Sequence, residues 1–345
     1  GEPCAYAHLA TDPQHCGACG WDCGAGATCA DGICSPAAAA VAANRSIASI
    51  ASNEVAVLVT AGDFSGLTVE SWLHAGWHDL AGHGSLSDAS LGEENAGFAG
   101  KANLDLVYFY QSFNGADPPA AATCTWTEET TPVFTCSAPF EFQNGLSTHV
   151  NSAVTRQGTV LVLGSGANDD IFGYDAGAPE VPTDHIPFTL PPGAPLAVSG
   201  RLALGPGGEL FWTSAEGCVY RESAGADCYY PSDGTGLPGL LSIFASGVGV
   251  FYEVGGALSR LELGATPTGT PTTLSIPAAI DARFLYAKSA AGGLAVVDAA
   301  SLVELHTVAR SQGLTAVDAS HPDYVFFAVG TQLYRWRKPA PGILE

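Results

Sequence analysis

The chain has 345 residues, of which 47% are hydrophobic and 13% charged, and it contains 42 Gly and 22 Pro. Its 12 basic and 34 acidic residues give a formal net charge of −22, and a surface of that sign repels nucleic-acid phosphates and anionic lipid headgroups. Nucleic acid and acidic membranes are therefore excluded as expected partners, and the composition is typical of a turn-rich all-β protein in an extracellular setting.

The N-terminal segment is rich in cysteine. Six of the ten cysteines fall within the first 34 residues, at Cys4, Cys16, Cys19, Cys23, Cys29 and Cys34. Such clustering is typical of an oxidising compartment, so we expect three disulfides here, with a pairing that the sequence does not decide. The alternative is a zinc site built from the C-x2-C pair, Cys16 and Cys19, with His8 or His15.

The same segment contains a recognisable cysteine motif. From Asp12 to Cys34 it contains D-P-x-x-C-G-x-C-G-x-x-C, then G-x-x-C, then G-x-C. In this it resembles the plant stigma-specific (Stig1-type) cysteine-rich domain, and similar modules stand at the front of secreted and surface proteins of myxobacteria. The resemblance implies a protein exported from a bacterium to the cell surface or the extracellular space. The adjacent Cys pairs of the plant domain are missing, so its receptor binding is not carried over.

Targeting and membrane signals are consistent with export. The chain contains no Met and no basic start followed by an apolar core, so we expect a signal peptide to have been removed. The run from Ala37 to Ala43 is too short and too weakly hydrophobic to cross a bilayer. We expect no transmembrane segment and interpret residues 36–43 as a linker or closing strand.

Residues 44–338 repeat a pattern of short strand-like runs about every 40 residues, which predicts a β-propeller with seven blades, or six as the fallback. A module at 1–35 precedes it and a tail at 339–345 follows. Three early blades are looser, and they run from Ser46 to His83, Asn103 to Phe142 and His149 to Leu190. The four later blades contain the clearer strands: Leu196–Leu204, Glu209–Thr213, Cys218–Glu222 and Cys228–Tyr230; Leu240–Ala245, Val248–Glu253, Ala257–Leu263 and Pro271–Leu274; Ala282–Lys288, Gly293–Asp298 and Leu302–Val308; Leu314–Ala319, Tyr324–Val329 and Gln332–Arg337.

The last of these blades stops at its third strand. We expect a strand from Ala37 to Asn44 to pair there, because closure of a propeller leaves no exposed sheet edge. The remaining cysteines are predicted to pair as Cys124 with Cys136 and Cys218 with Cys228, which fall on neighbouring predicted strands. Both pairs are predicted to be structural disulfides, since neither has the C-x-x-C spacing of an exchange catalyst.

Two segments are candidate metal sites. The run from Trp72 to His83 contains His74, His78, Asp79 and His83, donors that suit Zn²⁺ or Cu²⁺, and a helix would put His74 and His78 on one face. Solvated loop histidines are the alternative. Asn168, Asp169 and Asp170, with Asp175, resemble a Ca²⁺ loop but lack the D-x-D-x-D-G spacing, which favours a hairpin turn.

A third candidate site lies on or near the predicted innermost strands, where His149, Asn151, Asp281 and Asp318 would line the mouth of a central channel. The chain has no G-x-S-x-G elbow, phosphate loop or H-E-x-x-H motif, so no nucleophile with its base is identified. The sequence therefore favours a non-catalytic binding or structural module whose partner is a protein, a glycan or another copy of itself. The alternatives are a propeller-type lyase or glycosidase, and metal capture through His74 to His83.

Overall fold

The structure is a computed structural model, and it describes residues 8–38, 46–52, 56–63, 66–73, 78–79, 91–92, 98–100, 106–112, 120–127, 133–136, 140–141, 149–156, 159–165, 170–175, 178–187, 201–214, 217–225 and 227–344. These residues form β-strands joined by turns, with a few single turns of 3-10 helix. The predicted all-β class is confirmed. Within the described ranges, no helix has the length and apolar character needed to span a membrane.

The head, by which we mean residues 8–38, is a disulfide-bonded unit. Its strands are β1 (Cys29–Ala30), β2 (Ile33–Cys34) and β3 (Ala37–Ala38), and the first two form an antiparallel hairpin. Disulfides join Cys16 to Cys29 and Cys23 to Cys34, and all four of these residues are buried together. Cys19 is also disulfide-bonded, while Cys4 lies outside the described residues. A segment this short buries little apolar surface, so its disulfides supply much of its stability.

Three antiparallel sheets follow the head. The first contains β4 (Ile47–Ser52), β5 (Ala56–Asp63), β6 (Gly66–Leu73) and β7 (His78–Asp79) in sequence order. The second contains β8 (Leu91–Gly92), β9 (Phe98–Gly100), β10 (Leu106–Ser112), β11 (Ala120–Thr127), β12 (Val133–Cys136) and β13 (Phe140–Glu141), with β10 and β11 at its centre. The third contains β14 (His149–Arg156), β15 (Thr159–Ser165), β16 (Asp170–Asp175) and β17 (Ala178–Pro187).

The rest of the body forms three more sheets. The fourth contains β18 (Leu202–Leu204), β19 (Leu210–Thr213) and β20 (Val219–Arg221). The fifth is seven-stranded and contains β21 (Leu240–Ser246), β22 (Gly249–Val254), β23 (Ala257–Glu262), β24 (Thr268–Ile280), β25 (Phe284–Lys288), β26 (Leu294–Asp298) and β27 (Glu304–Thr307). The last sheet contains β28 (Leu314–Asp318), β29 (Tyr324–Val329) and β30 (Gln332–Arg337), and β3 completes it.

Strand β24 departs from the sequence prediction, which ended a strand at Leu274 and began the next sheet at Ala282. The strand has 13 residues; its first part pairs with β23 and its last part with β25. Pro277 has no backbone N–H to donate, and the pairing with β25 shifts register between Ser275 and Ala278, around that proline. The fifth and sixth predicted repeats are therefore joined in one sheet.

From the third sheet onward, neighbouring sheets pack through apolar cores made of residues from both partners. Ile171 of the third sheet packs with Trp212 of the fourth, and Phe211 of the fourth with Val250 of the fifth. Within the fifth sheet, Phe251 from one half packs with Leu285 from the other. The fifth sheet shares an apolar core with the last sheet, and the last sheet shares one with the first. Around the second sheet, β8 lies beside β6 of the first sheet, and β9 and β10 lie beside β14 of the third. Alternating inward-facing side chains of two-sided sheets supply these cores.

Strand β3 pairs antiparallel with β30, so a strand from the predicted linker does occupy the edge of the last sheet. Ala37 faces Arg335 and Ala38 faces Tyr334. The head therefore lies beside the C-terminal residues, and the side chain of Ile343 lies close to Gly17 and Gly32 in the head.

Two disulfides were predicted outside the head, and the structure describes the bond itself for one of them. Cys218 and Cys228 are bonded, with their Cα atoms 5.5 Å apart, next to the bridge between Val219 and Tyr230, which confirms the first pair. Cys124 and Cys136 are direct cross-strand partners on β11 and β12. That register suits a disulfide, and the second pair stays a prediction.

Candidate functional site

Asp281 follows the end of β24 and is tightly bonded. Its Oδ1 accepts hydrogen bonds from the backbone N–H groups of Arg283 at 2.7 Å and Phe284 at 2.8 Å. Its Oδ2 accepts a hydrogen bond from the Tyr286 hydroxyl at 2.8 Å and pairs with the Lys338 ammonium at 2.8 Å. Both carboxylate oxygens are thus engaged by the protein, in a turn that leads from β24 into β25.

Lys338 links the fifth sheet to the last. It follows β30 and is buried, and its ammonium donates to the carbonyl oxygen of Ala319 at 2.9 Å as well as contacting Asp281. Its backbone N–H donates to the carbonyl of Asp323 at 2.9 Å. A buried ammonium is stable only when its donors have partners, and these contacts provide them.

Asp318 is the last residue of β28 and links the last sheet to the first. Its carboxylate accepts hydrogen bonds from the hydroxyl of Ser52, at the end of β4, and from the Ser320 hydroxyl at 2.9 Å. The backbone N–H of His321 donates to the Ser52 oxygen at 3.2 Å. The imidazole Nδ1 of His321 in turn accepts from the N–H of Tyr324 at 3.1 Å, so the strand ends of two sheets share one polar network.

Folding shifts the pKa values of Asp318 and Asp281 in opposite directions. Burial raises the pKa of Asp318, and the hydrogen bonds from Ser52 and Ser320 offset this only in part. Burial acts on Asp281 in the same sense, but the charge of Lys338, with its hydrogen bond and those of two backbone N–H groups, brings the pKa of Asp281 below its ordinary value. Burial and the adjacent Asp281 charge raise the pKa of Tyr286, which therefore stays a neutral donor.

The four residues predicted to line a channel mouth fall into two groups. Asp281 directly follows β24, and Asp318 is the last residue of β28. Both belong to the polar network, in which Lys338 contacts Asp281 and also Ala319, the residue after Asp318. His149 is the first residue of β14 and Asn151 the third. The shared binding role of these four residues stays a prediction.

The predicted His74 to His83 metal site is described only in part. His78 and Asp79 form strand β7, opposite Leu73 and Trp72 of β6. His78 therefore lies on a strand, and the helix considered for this segment does not include it. His74 and His83 lie outside the described residues, so metal capture there stays a prediction.

Two other metal alternatives lie in the third sheet and in the head. Asp170 and Asp175 stand at the two ends of β16 and pair with β15 and β17, while Asn168 and Asp169 lie outside the described residues, so a Ca²⁺ site there stays a prediction. In the head, the sulfur atoms of Cys16, Cys23 and Cys34 lie within 4.8 Å of one another. All three belong to disulfides, as does Cys19, so none of them is a thiolate available to Zn²⁺.

Sequence reasoning missed Ser52, His321 and Lys338. A signal existed for Lys338, because it is one of only three lysines and comes directly after a strand with buried residues. Its partner Asp281 is separated from it by more than 50 positions, and nothing local predicts their contact.

Neither the models of known protein families nor the curated protein sequences contain a match to this chain.

Proposed function

We propose that residues 46–338 form a seven-bladed β-propeller in which the long fifth sheet supplies two blades. Three observations support this: neighbouring sheets from the third to the last share apolar cores, the last sheet shares a core with the first, and β3 occupies the edge of the last sheet. Strand β24 would act as the outer strand of one blade and the inner strand of the next. Such a connection between neighbouring blades is compatible with radial repetition of short sheets.

We infer that this propeller is an exported, non-catalytic binding or structural module at the bacterial cell surface or outside the cell. The observation that carries this is the internal use of Asp281 and Asp318, whose bonds tie three sheets together. Carboxylates held in this way serve the architecture. The disulfides of the head and of the fourth sheet suit an oxidising compartment, and the partner is a protein, a glycan or another copy of the chain.

The test uses the purified full-length chain. Sedimentation velocity over a concentration series, with and without Ca²⁺ and added salt, measures self-association, and a glycan array measures carbohydrate binding. We expect reversible oligomers or saturable binding to one glycan class, with the reduced and alkylated chain as the control. A chain that is monomeric at all concentrations and binds no glycan on the array contradicts the assembly and glycan forms of the proposal.

A propeller-type lyase or glycosidase is the second candidate. The described residues bring a histidine and a carboxyl group together at one place, since Ser52 bonds to the Asp318 carboxylate and accepts from the backbone N–H of His321, and such a pair is what acid–base catalysis uses. Incubation with a panel of acidic and neutral polysaccharides tests it. Product release that Asp318→Asn abolishes supports the enzyme, and unchanged release in that variant excludes this pair as its catalytic groups.

A further inference from the structure

The carboxyl group of Asp281 is held in the way that an acyl group is held in an acyl-transfer site. Its Oδ1 accepts hydrogen bonds from two backbone N–H groups, those of Arg283 at 2.7 Å and Phe284 at 2.8 Å. Two N–H donors on one oxygen are the arrangement of an oxyanion hole, which stabilises the negative charge that develops when a nucleophile attacks the carbon. The other oxygen, Oδ2, accepts from the Tyr286 hydroxyl at 2.8 Å. One oxygen is therefore supported as an oxyanion and the other as a leaving group.

A nucleophile lies beside this carboxyl group. The side-chain nitrogen of Lys338, Nζ, is 2.8 Å from Oδ2 of Asp281, and the two side chains are only 10% and 12% exposed. Nζ also donates to the carbonyl of Ala319 at 2.9 Å, which anchors it between the fifth sheet and the last. A lysine amine is a nucleophile once it is neutral, and a fixed position beside its target raises its effective concentration by orders of magnitude. The pair is therefore placed to react as well as to attract.

The surroundings lower the cost of neutralising the pair. Burial penalises charged groups, and transfer of one proton from Nζ to Oδ2 turns the ion pair into a neutral amine and a neutral carboxylic acid with no change in total charge. The pKa of Asp281 is nevertheless lowered, so the ion pair is the resting form. Bond formation from this form is slow, and freshly folded protein holds the ion pair.

We propose that Asp281 and Lys338 condense into an amide bond between their side chains, which is an isopeptide crosslink within one chain. Nζ passes a proton to Oδ2 and attacks Cγ with its lone pair; the Nζ–Cγ bond forms and the Cγ–Oδ2 bond breaks. Of the three hydrogens of the ammonium, one stays on the amide nitrogen and two leave with Oδ2 as water. No oxidant or second reactant is consumed, and the hydrogen bond from Tyr286 supports the departing oxygen.

This modification goes beyond the proposed function and does not depend on it. The crosslink joins the end of β24 to the residue after β30, so it closes a covalent loop that contains strands β25 to β30. Such a loop restricts the unfolded chain and stabilises the folded one. The backbone carbonyl of Lys338 accepts the Trp21 indole N–H at 2.9 Å, so the same bond fixes the segment against which the head docks.

The experiment measures the mass of the full-length chain. The folded protein is kept at neutral pH and physiological temperature, and samples are reduced, alkylated and analysed intact and after trypsin. Trypsin cleaves after Arg260, Arg283 and Arg337 and not between Lys338 and Pro339, so the crosslink joins peptide 261–283 to peptide 338–345. We expect the intact mass to fall by one water molecule. We also expect the linked peptide to be at least tenfold more abundant than in a sample kept unfolded in guanidinium for the same time.

Two substitutions serve as controls. Lys338→Arg keeps the positive charge but has no amine that can form this amide, so its mass should stay that of the sequence. Lys288→Arg should form the crosslink as the unmodified chain does, because Lys288 ends β25 and takes no part in the pair. If Lys338→Arg does not fold, the linked peptide of the unmodified chain decides alone.

Two results overturn the proposal. One is a folded chain that keeps its full mass after prolonged incubation, with the two peptides recovered separately. The other is a loss of water that persists in Lys338→Arg without the linked peptide, since a succinimide at an Asp–Gly sequence such as Asp233–Gly234 has the same mass change.

Discussion

Lys338 is the residue whose loss should cost most at the junction of the fifth and last sheets. The change Lys338→Met keeps the buried stem but removes the charge that pairs with Asp281, leaving a buried carboxylate without its cation. Breaking a buried ion pair from one side costs about 3 kcal/mol of unfolding free energy. Urea denaturation measures this loss.

Lys288→Met is the matched control, because Lys288 also stands at a strand end, as the last residue of β25, but is only partly buried. We expect a change below about 1 kcal/mol there. Equal effects of the two substitutions would contradict the role given to the Lys338 pair.

The two aspartates of the network should affect the pH dependence of stability in opposite directions. The pKa of Asp281 is lowered by folding, so its contribution is present above the pKa of the unfolded chain and is lost as pH falls through the folded value. The pKa of Asp318 is raised, so the native state is favoured while this group is protonated and loses stability as pH rises through the folded value.

Denaturation midpoints measured from pH 3 to pH 8 test the directions of these two changes in stability. We expect Asp318→Asn to remove a fall in stability above the ordinary aspartate pKa, and Asp281→Asn to lower stability near neutral pH. If the Asp318→Asn profile ran parallel to that of the unmodified chain, the raised pKa of Asp318 would be wrong.

At the residue scale, the sequence singled out Asp281 and Asp318 because they stand beside predicted inner strands. It could not pair Asp281 with Lys338 or Asp318 with Ser52, since the two residues of each pair are far apart in the sequence, by 266 positions in the second pair. Electrostatic roles of this kind depend on tertiary packing, which a local pattern does not contain.

At the scale of elements, short apolar-rich runs bounded by turn residues were predicted well. The runs Tyr324–Val329 and Gln332–Arg337 coincide with β29 and β30. Strand β24 was not predicted as one element, because Pro277 normally marks a boundary, and the continuation of pairing from β23 to β25 depends on the neighbouring half of the sheet.

The register of β11 and β12 gives a prediction at the same scale. Cys124 and Cys136 are cross-strand partners, so we expect peptide mapping of the unreduced protein to recover their two peptides as one linked species. The bonded pair Cys218 and Cys228 is the positive control in the same digest. Alkylation of free thiols at Cys124 and Cys136 would contradict the prediction.

At the scale of the whole molecule, positive charge is concentrated where the two ends of the chain meet. Three of the 12 basic residues lie between Arg335 and Lys338, in a chain with a net charge of −22. Arg337 stacks on Trp21 and pairs with Asp323 at 3.4 Å, so this charge holds the head and the last sheet together. The resemblance of the head to Stig1-type modules, a prediction still, concerns its disulfide framework and says nothing about this docking.

Head and body should therefore be coupled in stability. Replacing Cys23 and Cys34 by Ala removes a disulfide whose closure stabilises the folded head by about 3 kcal/mol. Because the Cys34 carbonyl accepts the Trp336 hydrogen bond, we expect amide hydrogen exchange in β30 to accelerate at least tenfold while β19 stays protected. Replacing Cys218 and Cys228 by Ala is the converse control, since that disulfide lies beside β20 and should loosen the fourth sheet and leave β30 unchanged. The same exchange pattern in both variants would mean that the molecule opens as one cooperative unit, and that the head has no separate role in holding the last sheet.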